Sequence, residues 1–173
     1  EERWELIDGT AWDMSPAPNR LHQEYLIGLL GQIIPFLEGH PCNVYAAPFD
    51  VLLPDRPNQA EDEITTVVQP DISVICDESK LTDKGCTGAP EWIIEILSPH
   101  TSRKDIAIKY ELYQRHGVRE YWIADPGNRY VHVYLLDEKG HYPDVPKIYL
   151  RDATIDCSVV EGLSIDLGRV FAA

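Results

Sequence analysis

The chain predicts a mixed α/β (α+β) fold, a mixed central β-sheet flanked by helices, with an N-terminal hairpin. Three observations carry this. The runs VVQPDISVICD and EWIIEILSP are apolar on both faces, as strands buried in the middle of a sheet are. NRLHQEYLIGLLGQIIPFLEG and KDIAIKYELYQRHG instead place their apolar residues at helical spacing. The middle of the chain then runs strand, strand, helix, strand, strand, an order that suits a mixed sheet with helices packed on it. The 173 residues, 44% of them apolar, fit a single domain over 1–173 with a proper core.

WELIDGTAWDMSPAP alternates and turns at Asp8-Gly9, which predicts a short hairpin running into a proline-rich loop. The first long helix follows, opened by an Asn19 cap and closed by Gly39, with Pro35 expected to kink or end its regular part. NVYAAPFDVLLP reads as one or two strands. Residues 55–66 are charged, lack apolar period and read as a loop. TDKGCTGAP is a turn-rich connection between the two apolar runs. The second helix leaves EWIIEILSP directly, with Thr101 or Ser102 as its cap. REYWIADP, YVHVYLLD, a KGHY turn, KIYLRDATI and GLSIDLGRVF complete the chain.

Composition narrows the function. Net charge is −14, from 15 Lys plus Arg against 29 Asp plus Glu, which argues against a protein that coats nucleic acid nonspecifically. It leaves room for an enzyme that meets DNA through one local groove and a divalent metal. No apolar stretch approaches the roughly 20 residues that span a bilayer, and no charged segment leads into an apolar one as in a secretory signal. The expectation is a soluble, cytoplasmic protein. Cys42, Cys76, Cys86 and Cys157 are scattered without zinc-site spacing, and Cys76 reads as a reduced core thiol.

Lys109 is out of place. On the second helix Ile106, Ile108, Tyr110, Leu112 and Tyr113 define an apolar arc, and Lys109 projects from its middle, with Asp105 one turn earlier and His116 two turns later. A buried charge needs pairing or ligation, so the helix needs a polar partner. In EWIIEILSP, period-two alternation puts Ile93, Glu95 and Leu97 on one face and Trp92, Ile94 and Ile96 on the other, leaving Glu95 as a carboxylate in an apolar strand. Asp71 opens the other apolar run. If the two strands are neighbours, both carboxylates converge at one rim and the helix brings Lys109 to it. Two acids and a lysine can satisfy one another or hold a metal, for which hard oxygen ligands favour Mg²⁺ or Mn²⁺ over zinc. The chemistry this supports is phosphodiester hydrolysis, with Asp71 and Glu95 on the metal and Lys109 positioning the attacking water. No nucleophile elbow, H-E-x-x-H, phosphate-binding glycine loop or dinucleotide fingerprint competes.

With WELIDG, the SPAP loop, His22, APFDV, VQPDISVICD, GAPEWIIEILSP, the D-x-x-x-K helix and GVREYWIADP, the chain resembles the Uma2 family. That family, formerly a domain of unknown function, falls in the PD-(D/E)XK restriction-endonuclease-like superfamily. The resemblance implies a restriction-endonuclease-like core and an endonuclease activity. It makes Asp71 the acid of the first half-motif and Glu95 that of the second. The lysine position two residues after Glu95 holds Leu97, and the resemblance implies that Lys109 on the following helix replaces it. His22 shares an apolar arc with Leu26, Leu29 and Ile33 and reads either as a core histidine or as a residue facing the pocket. Glu5, Asp50 and Asp105 are structural acids or neighbours of the site. The partner expected is nucleic acid, as DNA, with no membrane and with a homodimer to cut both strands; YVHVYLLD is a candidate interface or edge strand, or equally an ordinary strand of the sheet. The alternative is a non-catalytic interaction or regulatory module on a nuclease fold.

Overall fold

The computed structural model describes residues 4–14, 18–98 and 103–171, apart from the side chains of Lys104 and Asp105. Strands β1 (Trp4–Ile7) and β2 (Thr10–Asp13) pair antiparallel as the alternation predicts. Asp8 at φ 48° and Gly9 at φ 75° both take the left-handed conformation that a tight two-residue hairpin turn requires. Helix α1 (Arg20–Leu37) starts where predicted, and the Asn19 side chain accepts the amide of His22 at 2.9 Å. Pro35 neither ends nor interrupts it. It sits in the final turn, where it removes a single intrahelical bond, and the chain leaves the helix two residues later.

Strands β3 (Asn43–Ala46) and β4 (Asp50–Leu52) join different sheets. The same split divides the run read as one strand: β5 (Val67–Val68) and β6 (Ile72–Ile75) also lie in different sheets, with Pro70-Asp71 at the crossing. Proline cannot donate to a ladder, so the pairing changes there. The turn-rich connection contains a strand that its composition hides, β7 (Gly85–Thr87). Then come β8 (Trp92–Ile96), α2 (Arg103–His116), β9 (Glu120–Asp125), β10 (Tyr130–Leu135) and β11 (Lys147–Leu150). KIYLRDATI, read as a single segment, divides into β11 and β12 (Thr154–Asp156), and the closing segment supplies β13 (Ser164–Asp166) and the short α3 (Leu167–Val170). The cap expected at Thr101 or Ser102 falls outside the described residues.

The central sheet has six strands in the order β11-β10-β9-β8-β6-β3, parallel only between β8 and β9, which α2 connects. One face carries Trp92, Ile94, Ile96, Trp122 and Val131 and packs against α1, α3 and the β12–β13 hairpin. The other carries Ile93, Tyr121 and Ile123 and packs against α2 and the second sheet, of order β2-β1-β5-β4-β7. Trp92 and Trp122, both fully buried, meet at 4.7 Å between ring centroids. Glu120, also fully buried, accepts hydrogen bonds from Trp122 Nε1 at 2.8 Å and from the amides of Ser158 and Val159, each at 2.9 Å, which ties the C-terminal segment to the sheet.

One expectation is corrected and another narrowed. Cys42 and Cys76 are not free thiols; they flank the antiparallel β3–β6 pairing and are joined as a disulfide. Their separation in sequence hid a cross-strand adjacency that only the register reveals. Of the readings open for YVHVYLLD the edge strand is excluded and ordinary sheet holds, because β10 lies between β9 and β11; the sheet's edges are β3 and β11, the latter with Ile148 and Leu150 exposed.

Candidate active site

The register brings the predicted acids level. Ile72 pairs with Ile94 in the antiparallel β6–β8 ladder, so Asp71, just before β6, stands opposite Glu95. Asp71 is fixed from both sides: its Oδ2 accepts the amide of Ile96 at 2.7 Å, and its Oδ1 lies 3.1 Å from His22 Nε2. Asn19 caps α1 three residues before His22, so the cap that starts the helix also sets where that ring stands. The ring is buried, and its Nδ1 has no hydrogen-bond partner among the described residues.

Glu95 points to the α2 face of the sheet, as the alternation requires, and α2 answers it with two residues one turn apart. Lys109 Nζ donates to Glu95 Oε1 at 2.8 Å and Tyr113 Oη donates to the same oxygen at 2.6 Å. Lys109 also donates to Glu5 Oε1 on β1 at 3.0 Å. Glu5 accepts the amide of Gln69 at 2.9 Å, and Gln69 Nε2 donates to Asp50 Oδ1 at 2.7 Å. The inward lysine of the apolar arc is thus shared by a strand of each large sheet. Its side chain is 17% exposed, and those of Glu95 and Glu5 are 12% and 7%.

Of the open candidates, Glu5 and His22 lie in this network and Asp50 touches it through Gln69. The Asp105 side chain is outside the described residues. His116 stays apart, with Nε2 3.9 Å from Asp55, and its pKa is lowered by burial and by the neighbouring Arg115. Tyr113 and Gln69 were not singled out by the sequence. Tyr113 looked like core because it lies on the apolar arc; its offset of four from Lys109 was the signal that both face one target.

The electrostatics are acidic. Burial, followed by repulsion from Asp71 and Glu5, raises the Glu95 pKa to about 7 against the pull of Lys109. Burial alone would lower the Lys109 pKa, but Glu95 and Glu5 outweigh it and hold the ammonium charged. Glu5 and Glu95 share Lys109, and Asp71 adds its repulsion at Glu95, so carboxyl groups outnumber the lysine at the cluster. Among the described residues no three His, Cys, Asp or Glu side chains form a metal-ligand group. Asp71 and Glu95 are hard oxygen donors, the ligand class that Mg²⁺ takes when one or two carboxylates hold it and water fills the other positions.

Three comparisons bear on this arrangement. The family model described as "Uma2: Putative restriction endonuclease" matches residues 1–168. Comparison with curated proteins found no significant match. Among solved structures, a crystal structure described as a putative nuclease belonging to DUF820, from Anabaena variabilis, is similar with a TM-score of 0.75 at 20% identity. The likeness covers 98% of this chain and 89% of that one. At this identity the likeness speaks for the fold, and it agrees with the mixed sheet described above. The family match extends over nearly the whole chain and includes every strand and helix that builds the cluster, and by it the chain belongs to the Uma2 family.

Proposed function

We propose that the chain is a divalent-metal-dependent endonuclease that hydrolyses phosphodiester bonds in DNA. In this reading Asp71 and Glu95 hold Mg²⁺ or Mn²⁺, and Lys109 positions the attacking water. The observation that carries it is the gathering of Asp71, Glu95 and Lys109 at one rim of the central sheet, where repulsion from Asp71 and Glu5 helps to raise the Glu95 pKa to about 7. The family's description, "Putative restriction endonuclease", supports the reaction class.

A divalent cation held there would polarise the phosphate and make a proton easier to remove from water. The protein's own contribution is positioning. An ammonium has three protons to donate, and Lys109 gives two of them to Glu5 and Glu95. Among the described residues no other side chain accepts from it, and in this reading the third proton orients a water or steadies charge that develops on phosphate. Asp71 is held by the Ile96 amide and His22, so its carboxylate is placed before any ligand arrives. Two copies related by a two-fold axis would cut both strands of a duplex.

The test is cleavage of supercoiled plasmid with Mg²⁺, with Mn²⁺ and with EDTA, by wild type, Asp71→Ala and Lys109→Met. Metal-dependent nicking that both substitutions reduce by about 100-fold or more is expected. Cleavage that survives Asp71→Ala, or that proceeds in EDTA, would rule the assignment out.

A further inference from the structure

Tyr113 lies inside the cluster, yet nothing in the reading above uses it. Its hydroxyl and Lys109 Nζ converge on Oε1 of Glu95, at 2.6 and 2.8 Å. Both donors come from the same face of α2, one turn apart. No hydrogen bond from a described residue reaches the second oxygen, Oε2. We propose that Tyr113 is a positioning residue: together with Lys109 it occupies Oε1 of Glu95, fixing the carboxylate rotamer and reserving Oε2 for a divalent cation. This rests on the metal-dependent reading of the site.

The phenol is built to stay in place. Its ring is fully buried and meets the Tyr121 ring edge-on, with centroids 4.9 Å apart and planes at 78°. Tyr121 packs in turn against Tyr134 and Tyr142, and the Tyr142 hydroxyl donates to the Val118 carbonyl at 2.6 Å. The rotamer that aims the hydroxyl at Glu95 is therefore locked by an aromatic cluster on the sheet. A donor that orients a metal carboxylate contributes to metal affinity without touching the metal.

The test is isothermal titration of Mn²⁺ into wild type, Tyr113→Phe and Asp71→Ala, with circular dichroism and melting curves for each. Phe keeps the ring and its contacts, so a purely structural tyrosine would change Tm and leave Mn²⁺ affinity alone. The expected result is binding about 10-fold or more weaker in folded Tyr113→Phe. Affinity within about twofold of wild type, with binding abolished by Asp71→Ala, would overturn the role of Tyr113 and leave the metal reading standing. No Mn²⁺ binding by wild type would overturn both. If Tyr113→Phe does not fold, Mg²⁺ is titrated into wild type and the tyrosine absorbance difference recorded; a saturable change is expected, and a flat difference spectrum would overturn the proposal.

Discussion

Lys109 is the residue on which the cluster turns, and its removal has a stability consequence besides the loss of cleavage that the proposed function expects. Lys109→Met leaves Glu5 and Glu95 facing each other without their shared cation. Breaking a buried pair this way costs about 3 kcal/mol. Denaturant melts at pH 8 should show that loss, and a smaller one at pH 5, where Glu95 can take up a proton. Glu95 itself gives a pH signature. Its folded pKa of about 7 lies above its ordinary value, so the folded state binds more protons than the unfolded state between those two points. Stability therefore falls as pH rises from the usual carboxylate range to about 7, by an amount on the order of 3 kcal/mol. The penalty is absent below that window and complete above it. Glu95→Gln should flatten this part of a stability-against-pH curve measured without metal. A slope unchanged in the Gln variant would place the titration elsewhere.

At the scale of elements, two local features decide where the site residues stand. The Asn19 cap fixes the first turn of α1, from which His22 reaches Asp71. Asn19→Ala should cost about 1 kcal/mol, read as a lower midpoint in urea. Gly85 decides the second sheet: a Cβ there would lie 2.1 Å from the carbonyl oxygen of Asp50, its partner in the parallel β4–β7 ladder. Gly85→Ala must push the strands apart. The expected loss is about 2 kcal/mol or more, together with displacement of Asp50 and, through Gln69, of the backbone that holds Glu5. A crystal structure of the variant with β4 unmoved would contradict this. Elements with a clear period were legible in the sequence: both long helices, the hairpin, and the strands carrying Glu95 and Trp122. Elements shorter than the period they must display were not. Two-residue β5 and three-residue β7 carry no repeat to read, and Pro70 looked like part of a strand rather than the point where the chain changes sheets.

Across the whole molecule, charge governs the approach to a polyanion. A chain of net charge −14 repels DNA at long range, so under the proposed function a cation at the acidic cluster would serve binding as well as chemistry. Retention of a DNA fragment in a gel-shift assay should require Mg²⁺ or Ca²⁺ and disappear in EDTA. Retention that persists in EDTA would point to a basic surface rather than to a cation at the proposed site. No helix among the described residues is long and apolar enough to cross a membrane, and the exposed large apolar residues are spread over α1 (Ile27, Ile34, Phe36), β11 (Ile148, Leu150), Trp4, Leu135 and Val145.

The sequence by itself determined the class of fold, the face to which Glu95 points and the inward position of Lys109. These follow from local periodicity, which a strand or helix displays within its own residues. Tertiary structure alone decided which distant residues meet. Glu5 reaches Lys109 because the second sheet closes over α2, and Cys42 meets Cys76 because β3 and β6 pair in one register. Tyr113 changes from an apolar-arc residue into a hydrogen-bond donor only when Glu95 is placed beneath it. Contacts of this kind depend on strand order and loop closure across tens of residues, and no local period encodes them.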